Sequence, residues 1–201
     1  MPILPLLAAS LLSAPEPDPS LWHGRFDYPT KALRQEQSGA VYLRLWFDPT
    51  GREYRCDVLQ VFGDAIFAES ACKAVRRAKF RPAKSSNGGP SFGATTTLRS
   101  YTLAGPEGDS VRGIKTPTEI TLEDIPGFAN DAIPNFGIAA QVMEDGTVAA
   151  CEGSDASTPL PLVQAACDRA EQMPRQIGQD AEGNVVSYVS GLRVGPNRAT
   201  N

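Results

Sequence analysis

Sulfur carries the most obvious chemistry in this 201-residue chain. GREYRC at 51–56 ends in Cys56, with Cys72 sixteen positions on, and GTVAAC at 146–151 ends in Cys151, with Cys167 again sixteen on. A cysteine can act as nucleophile, metal ligand or disulfide half. Neither pair has CxxC spacing and the chain holds one histidine, so neither metal binding nor thiol reactivity is expected. An even number of cysteines points instead to disulfides in an oxidising compartment. Four cysteines allow three pairings.

Other chemistry is sparse. His23, in SLWHG, lies in the N-terminal tail, so Ser-His-Asp or Cys-His catalysis has no base inside a folded unit; Trp22 beside it is expected to tuck its ring onto the first unit. The carboxylate pairs Glu123–Asp124 and Glu144–Asp145 fall at a predicted helix entrance and a turn, where such residues cap and turn the backbone. No phosphate loop or dinucleotide fingerprint occurs. No enzyme, cofactor or metal is expected.

The doubled spacing leads to the elements that place the cysteines. Sliding the sequence on itself by 95 positions sets Gly51 on Gly146, Cys56 on Cys151 and Cys72 on Cys167, and lays Val41, Leu43, Leu45, Phe47 over Phe136, Ile138, Ala140, Val142. With one gap, Leu98-Arg99 falls on Leu192-Arg193. In the first unit Pro29 to Gln37 predicts a short helix with Ala32 and Leu33 inward. The strand Ala40 to Phe47 turns through DPTG at 48–51 into an antiparallel strand, Glu53 to Leu59, with Tyr54, Cys56 and Val58 on one face. Asp64 caps a helix to about Lys79, striped by Phe67, Ala71, Ala74, Val75 and Ala78, and a threonine-rich strand follows at Phe92 to Leu103. In the second unit DG at 145–146 makes the turn, Thr158 before Pro159 starts the helix, Leu162, Ala166 and Ala170 face inward, and Val185 to Val194 is the last strand. An inward cysteine on each second strand therefore faces a helix that carries the other cysteine. This predicts Cys56–Cys72 and Cys151–Cys167, each closing a loop worth roughly 3 kcal/mol.

MPILPLLAASLLSA at 1–14 reads as a secretory signal, cleaved between Ser10 and Ala14, ahead of a tail at 15–25. The units are placed at 26–103 and 120–196, joined by a Gly- and Pro-rich linker at 104–119 and followed by a tail at 197–201. No run of about 18 apolar residues could span a bilayer.

The first unit resembles the C-terminal domain of TonB, the periplasmic energy transducer of Gram-negative envelopes. Tyr28-Pro29, Ala32, Gly39, the alternating strand to Phe47, Asp48 with Gly51, and the FRPA run Phe80 to Ala83 carry the resemblance. The second unit looks like a degenerate copy: Ile125-Pro126 stands for YP, while Arg175, Ile177 and Gly178 replace Phe, Pro and Ala of FRPA. The resemblance implies an α+β fold of two tandem domains, each a short helix, an antiparallel hairpin, a packed helix and a final edge strand. It also implies that this strand takes up an extended segment of an outer-membrane transporter by β-augmentation. The candidate edge is Thr95, Thr96, Thr97, Leu98, Arg99, Ser100 and Tyr101, with Arg99 available to the peptide. The membrane helix and long Pro-rich spacer of a transducer are missing, so binding without energy transduction is expected.

Charge divides the halves: Phe26 to Leu103 has twelve basic and seven acidic residues, net +5, and Ala104 to Asn201 has six and fourteen, net −8. Lys73, Arg76, Arg77, Lys79, Arg81 and Lys84 form a basic patch on and after the first long helix, suited to solvent, to the acidic second unit or to an anionic partner. The net charge of −4 argues against nucleic acid. The expectation is an exported periplasmic binding protein with a protein partner. The alternative is a structural envelope module whose edges pair with each other or in a homodimer, with a hydrolase in the interdomain cleft a more distant one.

Overall fold

Apolar side chains on every second residue, broken by aspartate-glycine turns, fold each half of the chain around a hairpin. The computed structural model describes residues 11–18 and 28–197. In chain order the elements are β1 (Glu16–Pro17), α1 (Thr30–Arg34), β2 (Gly39–Phe47), β3 (Glu53–Phe62), α2 (Ile66–Arg76), β4 (Phe80–Arg81), β5 (Ala83–Lys84), β6 (Pro90–Tyr101), α3 (Pro106–Gly113), β7 (Ile120–Leu122), a 3-10 turn (Asn130–Ala132), β8 (Phe136–Val142), β9 (Val148–Gly153), α4 (Leu160–Gln172) and β10 (Tyr188–Pro196). In both turns an aspartate accepts backbone hydrogen bonds, Asp48 from Thr50 and Arg52 and Asp145 from Thr147. Gly51 and Gly146 take φ of +82° and +83°, which a side chain would strain.

The two halves repeat one register. Leu45 stands opposite Cys56 and Thr95, and Ala140, 95 positions later, stands opposite Cys151 and Ser190, each also 95 later. The bulge between Trp46 and Phe47 recurs between Gln141 and Val142. The offset needs no gap: Leu43 faces Thr97 and Ile138 faces Leu192, so the sequence match of Leu98-Arg99 to Leu192-Arg193 is one residue out. Both expected disulfides form, Cys56–Cys72 and Cys151–Cys167, with Cα separations of 5.9 and 5.7 Å.

One sheet holds both units, in the order β3-β2-β6-β10-β8-β9, with β5 added to β6 and β7 to β10; β1 and β4 form a separate pair. The join is a parallel pairing of the two last strands, Tyr188 with Phe92, Val189 with Gly93 and Ser190 with Ala94. Paired residues share a face, so the helices can be placed. Helix α2 packs Phe67, Ala71 and Val75 on the face of Val41, Leu43, Leu45 and Phe47. Helix α4 packs Leu162, Ala166 and Ala170 on Ile138, Ala140 and Leu192. Those residues share a face with Trp46 and Ala94, which meet Val142 and Tyr188 in a cluster at the seam. The helices therefore lie on opposite faces, related by a pseudo-two-fold axis along the strands.

Each face left bare by a helix is covered by the other unit. The segment after α2 crosses to the second unit, where Ala83 packs with Ala139 and Val189 and the Ser86 amide donates to Gln141 Oε1 at 2.9 Å. The segment after α4 crosses to the first, where Arg44 donates to Gln176 Oε1 at 2.7 Å and the Tyr54 hydroxyl to the Gln179 carbonyl at 2.7 Å. Residues 12–17 lie over the second unit as a strap: Leu12 is buried with Ala139 and Val189, and Ser13 bridges to Lys84. The strap runs so close that a Cβ on Gly191 would sit 2.8 Å from that of Ala14.

Several expectations change. The stretch read as a linker at 104–119 contains α3, which packs on β2 and β6, and the units share a sheet rather than hanging from a tether. The second unit opens with β7 and a 3-10 turn where the first has α1. The 3.6-residue pattern of α1 turns Ala32 inward but leaves Leu33 49% exposed. Tyr54 does not share the face of Cys56, because the bulge swings it onto the Trp46 cluster while Cys56 joins the α2 core. Residues 1–10 of the 1–14 stretch read as a signal lie outside the described residues, and so do His23, Trp22 and most of both tails.

A shared sheet and a common seam predict one unfolding transition for the whole chain. Replacing Cys151 and Cys167 together by alanine is expected to cost about 3 kcal/mol and to move that single transition in denaturant; two separate transitions, with only one displaced, would contradict the arrangement.

Candidate functional site

The expected edge strand is open over part of its length. On one side β6 pairs with β2 from Gly93 to Tyr101, and on the other β10 covers only Phe92 to Ala94. Beyond Ala94 the two strands part, and β10 takes β7 as its parallel neighbour at Val194 to Pro196. Glu119 plugs the divergence: its Oε2 accepts from Thr96 Oγ1 at 3.0 Å and from the Arg193 amide at 3.1 Å, and its own amide donates to the Arg193 carbonyl at 2.8 Å. A cleft of about 320 Å³ opens there, lined by Thr95, Thr96, Gly191 and Arg193 among others. A last strand fully exposed as an edge is therefore not what this chain has; the free stretch begins at Thr95.

Along it Thr95, Thr96, Thr97 and Leu98 are half-buried, Ser100 is exposed and Tyr101 is buried. Arg99 lies on the α2 side of the sheet, 8% exposed, near the Tyr101 hydroxyl, and burial lowers its pKa below the usual arginine value. It is a packed residue, not one held out to a passing peptide. The outermost strands, β3 and β9, have one strand neighbour each, and β3 exposes Val58 and Leu59 by 44% and 42%.

All six basic-patch residues are exposed, and Arg81 and Arg76 form ion pairs within the chain. Arg81 pairs with Glu16 at 2.6 Å, tying β4 to β1, and Arg76 Nε lies 3.6 Å from Glu53 Oε2. Glu53 is the residue that sequence reasoning missed. The bulge that turns Tyr54 away sets Glu53 opposite Phe47, on the α2 side, where its side chain is 2% exposed. Neither of its carboxylate oxygens has a hydrogen-bond partner. Burial raises its pKa above the ordinary carboxylate value, and the Arg76 charge offsets this only in part. A glutamate at the first position of a strand gives no sequence signal of such burial.

With this geometry in place, the comparisons assign the first unit. Residues 25–97 match the family model of the Gram-negative bacterial TonB protein C-terminal. The first unit is similar to the C-terminal domain of TonB. The match spans the first unit from just before α1 into β6 and ends short of α3. No curated protein and no solved structure matches the chain. TonB C-terminal domains are periplasmic protein-interaction modules that engage outer-membrane transporters, not enzymes. The two disulfides fit an oxidising compartment. Among the described residues no helix is long and apolar enough to cross a membrane, and no group of side chains is arranged to hold a metal ion.

Glu53 sets a pH dependence. Its folded pKa is raised above the 4.5 of a free glutamate, so the folded state carries a cost wherever the group is ionised. The cost is full above the folded pKa and vanishes as pH falls through it toward the unfolded value. Glu53→Gln is expected to stabilise the chain by about 1 kcal/mol at pH 7 to 8, the gain shrinking toward pH 4.5; paired thermal melts across that range check it, and a gain that grows as pH falls would contradict it.

Proposed function

We propose that this chain is an exported periplasmic binding protein that takes an extended segment of an outer-membrane transporter as an added strand along Thr95 to Tyr101. The carrying observation is that β6 loses its β10 neighbour after Ala94, so the strand runs on with a strand partner on one side only. An extended peptide can meet the backbone N–H and C=O groups left over there whatever its sequence, and the half-buried threonines supply shallow contacts that add selectivity. The match of residues 25–97 to the TonB family supports a transporter as the partner class. The second unit is read as a degenerate copy of the same domain on the strength of its shared register and disulfide spacing. In this reading it flanks the binding strand and limits how far a peptide can slide, since Glu119 stops the wedge at Arg193.

One observation favours a second reading. The last strands of the two units already pair with each other over three residues, which is how a structural envelope module would satisfy its own edges. Hydrogen exchange with transporter-derived extended peptides separates the two. Strand addition predicts amides within 95–101 that exchange in the free protein and slow about tenfold, equivalent to 1.4 kcal/mol, once peptide is bound. Protection of that stretch without peptide, and no change on adding it, would favour the structural module.

A further inference from the structure

Glu53, with its carboxylate buried, is among the residues lining a cleft that the strand-addition reading does not use. The cleft, of about 560 Å³, lies where the β2–β3 turn, the end of α2 and the 180–182 loop of the second unit converge. Four carboxylates line it, from Asp48, Glu53, Asp180 and Glu182, against two guanidinium groups, from Arg52 and Arg76. Asp48 and Asp180 turn oxygens back onto their own loops: Asp48 accepts from the Thr50 and Arg52 amides, and Asp180 accepts from the Glu182 and Asn184 amides and from the Asn184 side chain. Glu53 has no such partner. Its side chain is 98% withdrawn from solvent, and the Arg76 charge that faces it is 64% exposed and beyond hydrogen-bonding distance. A desolvated carboxylate without donors is costly unless a cation with N–H groups meets it.

We infer that this cleft is a binding site for a lysine or arginine side chain of a protein partner, with Glu53 as the counter-charge at its floor. Tyr54 and Phe92 form the apolar wall, their rings edge to face at 6.2 Å, and aromatic surface favours an alkyl stem carrying a cation over a compact metal ion. Burial pushes the Tyr54 phenol up to about 12, so it stays neutral and keeps donating to the Gln179 carbonyl. That bond holds the loop bearing Asp180 and Glu182 against the first unit. The site is therefore built from both halves, and neither makes it alone. It does not depend on peptide pairing along Thr95 to Tyr101.

The test uses the full disulfide-bonded chain, titrated with Nα-acetyl-lysine N-methylamide and its arginine counterpart while the amide signals of Tyr54, Phe92 and Ala181 are followed by NMR. The norleucine analogue, cadaverine and calcium chloride serve as separate arms. Both cationic derivatives should shift those signals and norleucine should not. Glu53→Gln should weaken binding about tenfold or more, the loss expected for a charge-assisted bond, and its thermal melt confirms that it folds. Arg76→Ala, which removes the competing cation, should tighten binding. Equal binding of norleucine, preference for cadaverine or calcium, absence of any shift, or indifference to both substitutions would each overturn the assignment.

Discussion

Three residue pairs join this molecule: Phe92 with Tyr188, Gly93 with Val189 and Ala94 with Ser190. Each half taken alone is a hairpin clamped to one helix by a disulfide, with one face of its strands uncovered. A unit that small buries too little apolar surface to be comfortable by itself. Parallel pairing of the last strands resolves this because it places the helices on opposite faces and lets each unit lend its post-helix segment to the other. Trp46, Ala94, Val142 and Tyr188 then form a further cluster at the seam, available to neither half alone.

What the sequence made legible was local and periodic. The shared offset of 95 residues located both hairpins and both disulfides, because a bridge between a strand and the helix above it depends on contacts close in sequence. The inward stripe Leu162, Ala166, Ala170 was readable for the same reason. The seam was not, since nothing in Phe92 to Ala94 or in Tyr188 to Ser190 states which strand lies alongside. Helix α3 was hidden by composition: PEGDSVRG has two glycines and little apolar face, and it is held by packing on β2 and β6 more than by propensity. Glu53 was hidden by the bulge. Strict alternation puts Tyr54 with Cys56, whereas one extra residue exchanges the environments of neighbouring side chains.

The same bulge occurs in the second half, between Gln141 and Val142, where Val148 takes the place of Glu53. One structural device thus has two chemical outcomes. In the second half it delivers an apolar side chain to the core, as a hairpin packed under a helix should. In the first it delivers a carboxylate beneath α2, at a cost to folding. A fold that tolerates valine at this position gains nothing in stability from glutamate, so the acidic residue at 53 is best understood through what it faces.

The strap seals part of the sheet with the first described residues of the chain. Leu12 and Ser13 are structural, the one sealing the uncovered face of the second sheet half and the other bridging to Lys84. A protease that removed everything through Ala14 would strip this seal and expose Ala139 and Val189 to water, whereas one that stopped at Ser10 would leave it whole. If residues 1–14 act as a leader, the position of the cut decides whether the finished protein is sealed or carries an apolar opening on its surface.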